Sequence, residues 1–174
     1  MSLIANSFPP VLPPKSAKPL TQAKVLVLGS SPGQISLAQH CYYAHPRNAF
    51  WWIMSELLTF AEDLPYQQRL MHLQHSGIVL WDVLQQCQRL GSLDSAIQRD
   101  SEVPNDIVTL LAEYQSITAI FFNGKAAYTL FKRHLLAELT TAIELIVLPS
   151  TSPAHASMSR ETKLSHWRCM SEFL

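Results

Sequence analysis

The stretch from residue 25 to residue 51, VLVLGSSPGQISLAQHCYYAHPRNAFW, combines groups that could bind a flat heterocycle. A short apolar run stops at Gly29, and a tight Ser-Pro-Gly turn that ends at Gly33 follows it. Glycines in such a turn let a ligand approach the backbone and leave amide groups free to bind it. The ring of Tyr43 could stack on the heterocycle, and the amide of Asn48 could orient water or hydrogen-bond a ring edge. We therefore predict a binding site in this stretch.

Each of these residues also has a simpler structural interpretation. A glycine turn after a strand most often only joins the strand to a helix. Asn48 could be an ordinary helix N-cap, a role that is compatible with binding. Cys41 and His45 could indicate a cysteine hydrolase, but no orienting carboxylate stands near them in the sequence, and cysteine is commonly a buried apolar residue. The four histidines between residues 40 and 75 show no recognised zinc-binding spacing.

Three later blocks also place polar residues after apolar runs. The second block, GIVLWDV, carries Trp81 and Asp82, and the third, FFNGKAA, carries Asn123 and Lys125. The fourth block is LPSTSPAH at residues 148–155. Open α/β sheets bind ligands at the carboxyl ends of their strands. We therefore expect the four blocks to meet at one edge of a sheet.

The elements that must position these blocks alternate between strand and helix. The predicted strands cover residues 23–28, 77–81, 117–122 and 143–148. The predicted helices cover residues 48–60, 65–74, 83–88, 104–114, 125–138 and 159–173. This alternation predicts an α/β fold, a three-layer sandwich with a mostly parallel four-stranded sheet flanked by helices. Residues 1–22, which contain five prolines, are expected to form an extended proline-rich leader that is packed on the surface or partly mobile, and residues 23–174 a single domain.

Composition limits the class of protein. With 48% hydrophobic and 15% charged residues, the chain is expected to be globular. Its formal net charge of zero counts mildly against nucleic-acid binding, although a local basic patch would suffice. Three widely separated cysteines indicate a reduced cytoplasmic protein and are too few for a four-cysteine iron–sulfur site. No apolar run approaches the length of a membrane span, about 18 residues. We expect a monomer without metal or other cofactor.

Together and in order, the four blocks resemble those of the uracil-DNA glycosylase superfamily. They are most similar to the hypoxanthine-DNA (deoxyinosine) glycosylase branch, which is related to the mismatch-specific uracil-DNA glycosylases. The resemblance covers residues 23 to about 172. It implies a monofunctional enzyme of base excision repair that hydrolyses the N-glycosidic bond of deaminated bases, hypoxanthine above all. Its partner would then be DNA that contains such bases.

The resemblance also implies roles for single residues. In most of the superfamily, an Asp or Asn two residues after the first glycine positions the attacking water. This chain has Ser31 there, whose hydroxyl is a poor base, so the catalytic role passes to Asn48, as in the deoxyinosine branch. Tyr43 would stack on the flipped base. Asp82 stands where the superfamily has a base-reading asparagine, and it could equally cap the next helix.

The remaining positions are assigned in the same way. Leu148 replaces a histidine of the classical uracil enzymes, and His155 replaces the asparagine that often ends the fourth block. Lys125 could hold a phosphate at a helix N-terminus, or it could simply be solvated. The predicted base-binding residues are Ser31, Tyr43, Trp81 and Asp82. The predicted DNA-binding residues are Gly29, Gly33, Asn123, Lys125, Ser150, Thr151, Ser152 and His155.

Two alternatives stay open. One is a glycosylase of the same fold that acts chiefly on uracil or on mismatches. The other is a non-catalytic module that binds modified bases or nucleotides. Ser31 and Leu148 favour the second alternative, because two familiar catalytic positions lack their usual side chains. No lysine is placed as a Schiff-base nucleophile, so strand cleavage is not expected.

Overall fold

The computed structural model describes residues 3–14, 22–140 and 142–174. Within these ranges the strands are β1 (Leu3–Asn6), β2 (Val25–Gly29), β3 (Ile78–Asp82), β4 (Leu84–Arg89), β5 (Val103–Pro104), β6 (Ala119–Asn123) and β7 (Glu144–Leu148). The α-helices are α1 (Gln34–Gln39), α2 (Phe50–Leu58), α3 (Tyr66–His75), α4 (Ile107–Glu113), α5 (Lys125–His134) and α6 (Arg160–Trp167). Short 3₁₀ turns cover residues 94–96, 99–101, 136–138 and 168–173.

The main sheet contains four of these strands in the order β3-β2-β6-β7, and all neighbouring pairs are parallel. The register places Gly29 of β2 opposite Asp82 of β3, and Asn123 of β6 opposite Leu148 of β7. The carboxyl ends of the four strands therefore lie level with one another. The predicted parallel four-stranded sheet is confirmed.

Apolar side chains cover both faces of this sheet. Alternate residues of β2, such as Leu26 and Leu28, pack with α4 and α5 in one cluster. Val25 and Val27 pack with α2, α3 and α6 in a second cluster on the other face. Because successive side chains of a strand point to opposite faces, a strand buried on both sides needs a continuous apolar run. The predicted arrangement of helix, sheet and helix layers is confirmed.

A second, antiparallel sheet has the order β1-β4-β5. The helix predicted over residues 83–88 is therefore wrong, because these residues form β4. Leu84, Cys87 and Arg89 of β4 are buried, whereas Gln85 is exposed. The short run LQQCQR does not specify a helix by itself. Pairing with β1, more than 75 residues earlier in the chain, selects the strand.

The leader contributes β1 to this sheet. Ala5 of the leader is buried, and Val11 forms an antiparallel bridge with Leu80 of β3. Residues 3–14 thus lie in an extended conformation against the domain, with Ala5 and Val11 buried. Residues 1, 2 and 15–21 of the leader lie outside the described ranges. The division of the chain at residue 22 stays a prediction.

The other predicted elements occur with shifted ends. The helix predicted over residues 48–60 begins at Phe50, and the final predicted helix ends as a 3₁₀ turn after Trp167. Helix α1 follows the glycine turn and was not predicted. Of the helices in the described part of the chain, none is long and apolar enough to cross a membrane.

Candidate active site at the strand ends

A pocket of about 400 Å³ opens at the carboxyl ends of the parallel strands. Ten of the thirteen residues predicted to act in the site line it. They are Gly29, Ser31, Gly33, Tyr43, Asn48, Asp82, Asn123, Ser150, Thr151 and Ser152. Residues from all four motif blocks therefore meet in one cavity, although they are spread over more than 120 positions of the sequence.

The floor of the pocket is built on Gly29. A Cβ atom placed on this residue would lie 2.5 Å from Asp82 Oδ1 and 2.9 Å from the Tyr43 hydroxyl. Both distances are too short for any side chain. The absence of a Cβ at Gly29 thus lets a carboxylate oxygen and a phenol hydroxyl approach the same point of the backbone.

Tyr43 forms a wall of the pocket. Its ring stacks on Phe50 with the centroids 4.1 Å apart and the planes 29° apart. Phe50 is fully buried and does not line the pocket, so the Tyr43 ring separates it from the cavity. The backbone of Tyr43 is left-handed, with φ of 53°. This strain, rare for a bulky residue, is sustained by the surrounding packing.

The hydroxyl of Tyr43 is buried and has no hydrogen-bond partner within the described residues. Burial, together with the charge of Asp82, raises the pKa of Tyr43, so the phenol keeps its proton. A buried donor without a partner costs free energy. In this geometry the hydroxyl is covered, so it can donate to a ligand only if the ring shifts when the ligand binds.

Asp82 is almost fully buried beside this hydroxyl. Its Oδ2 accepts a hydrogen bond of 3.0 Å from Ser7 Oγ. Burial raises the pKa of the Asp82 carboxyl to about 7, and the hydrogen bond from Ser7 and the charge of Arg89 only partly offset this effect. A strand, not a helix, follows Asp82, so the interpretation of this residue as a helix cap is wrong.

The Asn48 side chain can serve both as a helix cap and as a ligand-binding group, the two roles that the sequence left open. Its Oδ1 accepts a hydrogen bond of 3.0 Å from the backbone N–H of Phe50, the first residue of α2. Its Nδ2 has no partner among the hydrogen bonds of the described residues, and the side chain lines the pocket. The same amide can therefore cap the helix through oxygen and donate to a ligand or water through nitrogen.

The fourth block forms the wall opposite the glycine turn. Thr151 is fully buried, and Asn123 binds it through two hydrogen bonds. Ser150 lies directly against Gly124, where an added Cβ would come within 2.8 Å of the Ser150 Cβ. The backbone oxygen of Ser152 accepts a hydrogen bond of 3.3 Å from Lys163 Nζ. The Asn123 amide thus holds this loop in place instead of facing DNA freely.

Three predicted site residues do not line the pocket, namely Trp81, Lys125 and His155. Trp81 precedes Asp82 in β3 and so points to the opposite face of the strand. Its indole N–H donates to the carbonyl of Phe8, which does line the pocket. In this structure Trp81 therefore contacts a residue of the pocket wall and not the cavity itself. Lys125 is exposed at the start of α5, and His155 is half-buried beyond the rim.

A buried arginine that sequence reasoning missed fixes the glycine turn. Arg89 is 2% exposed, and its guanidinium donates to the carbonyl of Pro32 and lies 3.5 Å from Asp94 Oδ1. Ser30 Oγ donates to the same Asp94 oxygen at 2.6 Å. The signal that could have found it is an arginine at the end of β4, two residues before a polar run, GSLDSAI at residues 91–97, which contains Asp94.

The leader and the GSLDSAI block also supply pocket residues that were not predicted. They are Phe8 on one side and Ser92, Leu93 and Asp94 on the other. The block is tied to the glycine turn because Ser92 Oγ accepts a hydrogen bond of 3.0 Å from the backbone N–H of Gln34. Over the described residues, no group of three or more His, Cys, Asp or Glu side chains is placed to hold a metal ion.

The fold and site define an α/β protein whose parallel strands end in a pocket with a stacking ring, a carboxamide and a buried carboxyl group. The chain belongs to the uracil DNA glycosylase superfamily, whose family model matches residues 16–173. The family predicted from the four motif blocks is thereby confirmed.

Similar proteins come from two Methanosarcina species. A protein named hypoxanthine DNA glycosylase from Methanosarcina barkeri is 36% identical over 123 residues, which cover 69% of this chain and 71% of the relative. Another of that name from Methanosarcina acetivorans is 32% identical over 171 residues, or 97% of this chain and 98% of the relative. A solution NMR structure of a provisionally assigned uracil DNA glycosylase from Methanosarcina acetivorans has a TM-score of 0.78 and 30% identity, and the match covers 97% of each chain.

Proposed function

We propose that this chain is a monofunctional DNA glycosylase that excises hypoxanthine from DNA and leaves an abasic site. The observation that carries the choice of a deaminated base over adenine is the pair of groups above Gly29, the Asp82 Oδ1 acceptor and the Tyr43 hydroxyl donor. The two relatives named hypoxanthine DNA glycosylase support the same substrate.

This pair is complementary to one type of base edge. Hypoxanthine presents an N1–H donor beside its O6 acceptor, whereas adenine presents the N1 acceptor beside an amino donor. An ionised Asp82 can only accept, and the protonated Tyr43 hydroxyl can donate. The pocket therefore favours hypoxanthine, the deamination product, over the adenine from which it forms. Adenine in this pocket would leave buried polar groups without partners. Each such group costs about 1–3 kcal/mol of binding free energy.

Catalysis in this pocket depends on electrostatics more than on a strong base. Hydrolysis of the N-glycosidic bond passes through an oxocarbenium-like state, with positive charge on the sugar and negative charge on the leaving base. Asn48 orients the attacking water, and Tyr43 donates to the oxygen on which the leaving base gathers charge. Ser31, which lines the pocket near Cys87, assists in holding water but does not accept its proton.

The rim of the pocket suits an extruded nucleotide. Ser150 and Ser152 lie on one side and Ser92 and Leu93 on the other. Short hydroxyl side chains and backbone amides are common partners of DNA phosphates and sugars. Flipping a nucleotide costs a few kcal/mol, and less for a mispaired base, so the stacking of the base on Tyr43 can offset part of that cost. We propose DNA that contains deaminated bases as the partner.

Uracil is the second candidate substrate, because its N3–H and O4 form the same pair of donor and acceptor as N1–H and O6 of hypoxanthine. The Asp82 and Tyr43 pair does not separate these two bases. A direct comparison of cleavage on otherwise identical duplexes is therefore needed.

The test is single-turnover cleavage of duplexes that contain hypoxanthine, uracil or xanthine at one position. We expect hypoxanthine to be excised fastest and the strand to stay intact until the abasic site is treated with alkali. Asn48→Ala should abolish excision and leave duplex binding largely unchanged. Asn48→Ser, which keeps a side-chain oxygen for the helix cap, separates lost capping from lost catalysis, because it should fold normally and still be inactive. Absence of excision by the wild-type protein would refute the proposal.

A further inference from the structure

Phe8 of the leader lines the pocket, and Ser7 lies behind the pocket wall next to Asp82. The backbone N–H of Ser7 donates to the carbonyl of Gln85 in β4 at 2.8 Å. The Phe8 carbonyl accepts a hydrogen bond of 3.0 Å from Trp81 Nε1, and its ring packs edge-on against Tyr42 with the centroids 5.1 Å apart. These contacts fix the hydroxyl of Ser7 beside Asp82, 75 residues later in the chain.

The Ser7 hydroxyl lies between two acceptors. Its Oγ is 3.0 Å from Asp82 Oδ2 and 3.2 Å from the carbonyl oxygen of Phe8. A hydroxyl has one proton to donate and can also accept. When Asp82 is ionised, Ser7 donates to Oδ2. When Oδ2 carries the proton, Ser7 accepts from Oδ2 and turns its own proton to Phe8.

Either arrangement leaves the other carboxyl oxygen unchanged. Asp82 Oδ1 lies above Gly29 on the floor of the pocket, next to the Tyr43 hydroxyl. We propose that Ser7 is a positioning residue that confines the Asp82 proton to Oδ2, so that Oδ1 presents an acceptor to the base in both protonation states. This inference rests on the proposed function, because it concerns how the same pocket distinguishes hypoxanthine from adenine.

The device matters because Asp82 titrates in the working range of the protein. Burial raises its pKa to about 7, so both forms are populated near neutral pH. Without Ser7 the proton can occupy Oδ1, which then donates to N1 of adenine and loses its preference for the N1–H of hypoxanthine. The pocket would accept the normal base as the pH falls.

Other titratable groups face Asp82, and they affect its pKa and not which of its oxygens carries the proton. They are Tyr42, Tyr43, Tyr66, Arg89 and Asp94. The Arg89 charge favours the ionised carboxyl, whereas the Asp94 charge disfavours it. These groups change the fraction of molecules in which Asp82 is protonated. Among the described residues, Ser7 is the one whose side chain hydrogen-bonds to a carboxyl oxygen of Asp82, namely Oδ2.

The experiment measures binding instead of cleavage, so that slow chemistry on adenine does not obscure recognition. Duplexes carry non-cleavable 2′-fluoroarabino analogues of deoxyinosine or deoxyadenosine at one position. The ratio of the two Kd values is measured at about pH 5.5 and about pH 8.5, on either side of the Asp82 pKa of about 7. We expect the wild-type ratio to be the same at both pH values. In Ser7→Ala, preference for hypoxanthine should fall on the order of tenfold at the lower pH and much less at the higher pH.

Two variants serve as controls. Ser7→Thr keeps the hydroxyl and should restore the wild-type ratio at low pH. Ser116→Ala removes a serine hydroxyl that donates to the Ala23 carbonyl at 2.6 Å, outside the pocket, and should leave the ratio unchanged. A second readout is the titration of the Asp82 carboxyl carbon by NMR. Ser7→Ala should raise the Asp82 pKa, because the ionised form loses its donor.

The outcomes separate this inference from the proposed function. If the wild-type protein excises hypoxanthine but Ser7→Ala keeps the wild-type ratio at both pH values, the inference is wrong and the proposed function stands. A wild-type ratio that itself collapses at low pH also overturns the inference. If the wild-type protein fails to excise hypoxanthine, the proposed function fails, whatever the binding ratios are.

Discussion

Asn123 and Thr151 bind each other through two hydrogen bonds of equal length. Asn123 Nδ2 donates to Thr151 Oγ1 at 2.8 Å, and the Thr151 backbone N–H donates to Asn123 Oδ1 at 2.8 Å. Both residues are buried. This contact joins the end of β6 to the loop after β7, and the Thr151 carbonyl in turn accepts from the backbone N–H of Ala49, next to Asn48.

The first prediction concerns this pair. Asn123→Ala should lower the free energy of unfolding by about 1–3 kcal/mol, because it leaves a buried Thr151 N–H without a partner. Excision should slow as well, since the loop no longer holds one wall of the pocket. Urea unfolding of Asn123→Ala, Thr151→Val and the double variant gives the coupling between the two residues. If their effects are simply additive, the two side chains do not act as a unit.

The second prediction concerns the pocket floor. Gly29→Ala should abolish excision, because the new methyl group would overlap both Asp82 Oδ1 and the Tyr43 hydroxyl. Gly33→Ala is the matched control in the same turn, since its added Cβ would lie at an ordinary 3.5 Å from Ser92 Oγ. It should keep most of the activity. Equal loss of activity in both variants would argue against a specific role of the floor.

The third prediction concerns an apolar side chain on the rim. Leu93 lines the pocket mouth and is 55% exposed, on a loop held rigid by Ser92 and Asp94. Exposed leucines next to a base pocket can enter the base stack of DNA. Leu93→Ala should therefore weaken binding to hypoxanthine-containing duplex, with a change of stability of less than about 0.5 kcal/mol.

Leu90 provides the comparison for Leu93. It is 66% exposed in the same segment but does not line the pocket. Leu90→Ala should thus bind the duplex like the wild-type protein. Fluorescence anisotropy with labelled duplex measures both variants. If both variants bind like the wild-type protein, Leu93 does not insert into DNA.

The fourth prediction links Asp82 to stability. Its pKa is raised from 3.8 to about 7 on folding, so the folded state holds a proton that the unfolded state releases between these values. Stability from this group is therefore fully present below the unfolded pKa and is lost as the pH rises through the folded pKa. Between about pH 5 and about pH 8, the free energy of unfolding of the wild-type protein should fall by roughly 2–4 kcal/mol more than that of Asp82→Asn. Thermal unfolding at several pH values measures this difference. Identical pH dependence would show that Asp82 titrates normally in the folded protein.

The apolar strands and their polar ends could be predicted from the sequence because both depend on local signals. A continuous apolar run that ends in glycine indicates a buried parallel strand and a turn suited to ligand approach. These signals place Gly29, Asp82 and Asn123 at one edge of the sheet, where they are found. Trp81 does not line the pocket, because successive side chains of a strand point to opposite faces and Asp82 faces the cavity.

Residues 84–89 show where local signals fail. LQQCQR has neither a clear helical nor a clear strand period, and hydrogen bonds from β1 decide its conformation. Arg89 could then be buried, because the carbonyl of Pro32 and the carboxylate of Asp94 receive its guanidinium. Asp94 is near Arg89 in the sequence, but Pro32 is 57 residues away, so the sequence did not show the turn against which the arginine is buried.

The sequence by itself determined the superfamily, the parallel sheet and the cluster of motif residues at its carboxyl edge, since each depends on short runs of residues with a fixed period or spacing. Only the tertiary structure decided which of those residues face the cavity and which partners control them. Ser7 and Asp82 are 75 positions apart; Ser7 directly follows β1 and Asp82 ends β3 of the other sheet, so their hydrogen bond follows from the pairing of β1 with β4 and not from any local pattern. Interactions that depend on long-range packing leave no periodic signal in the chain.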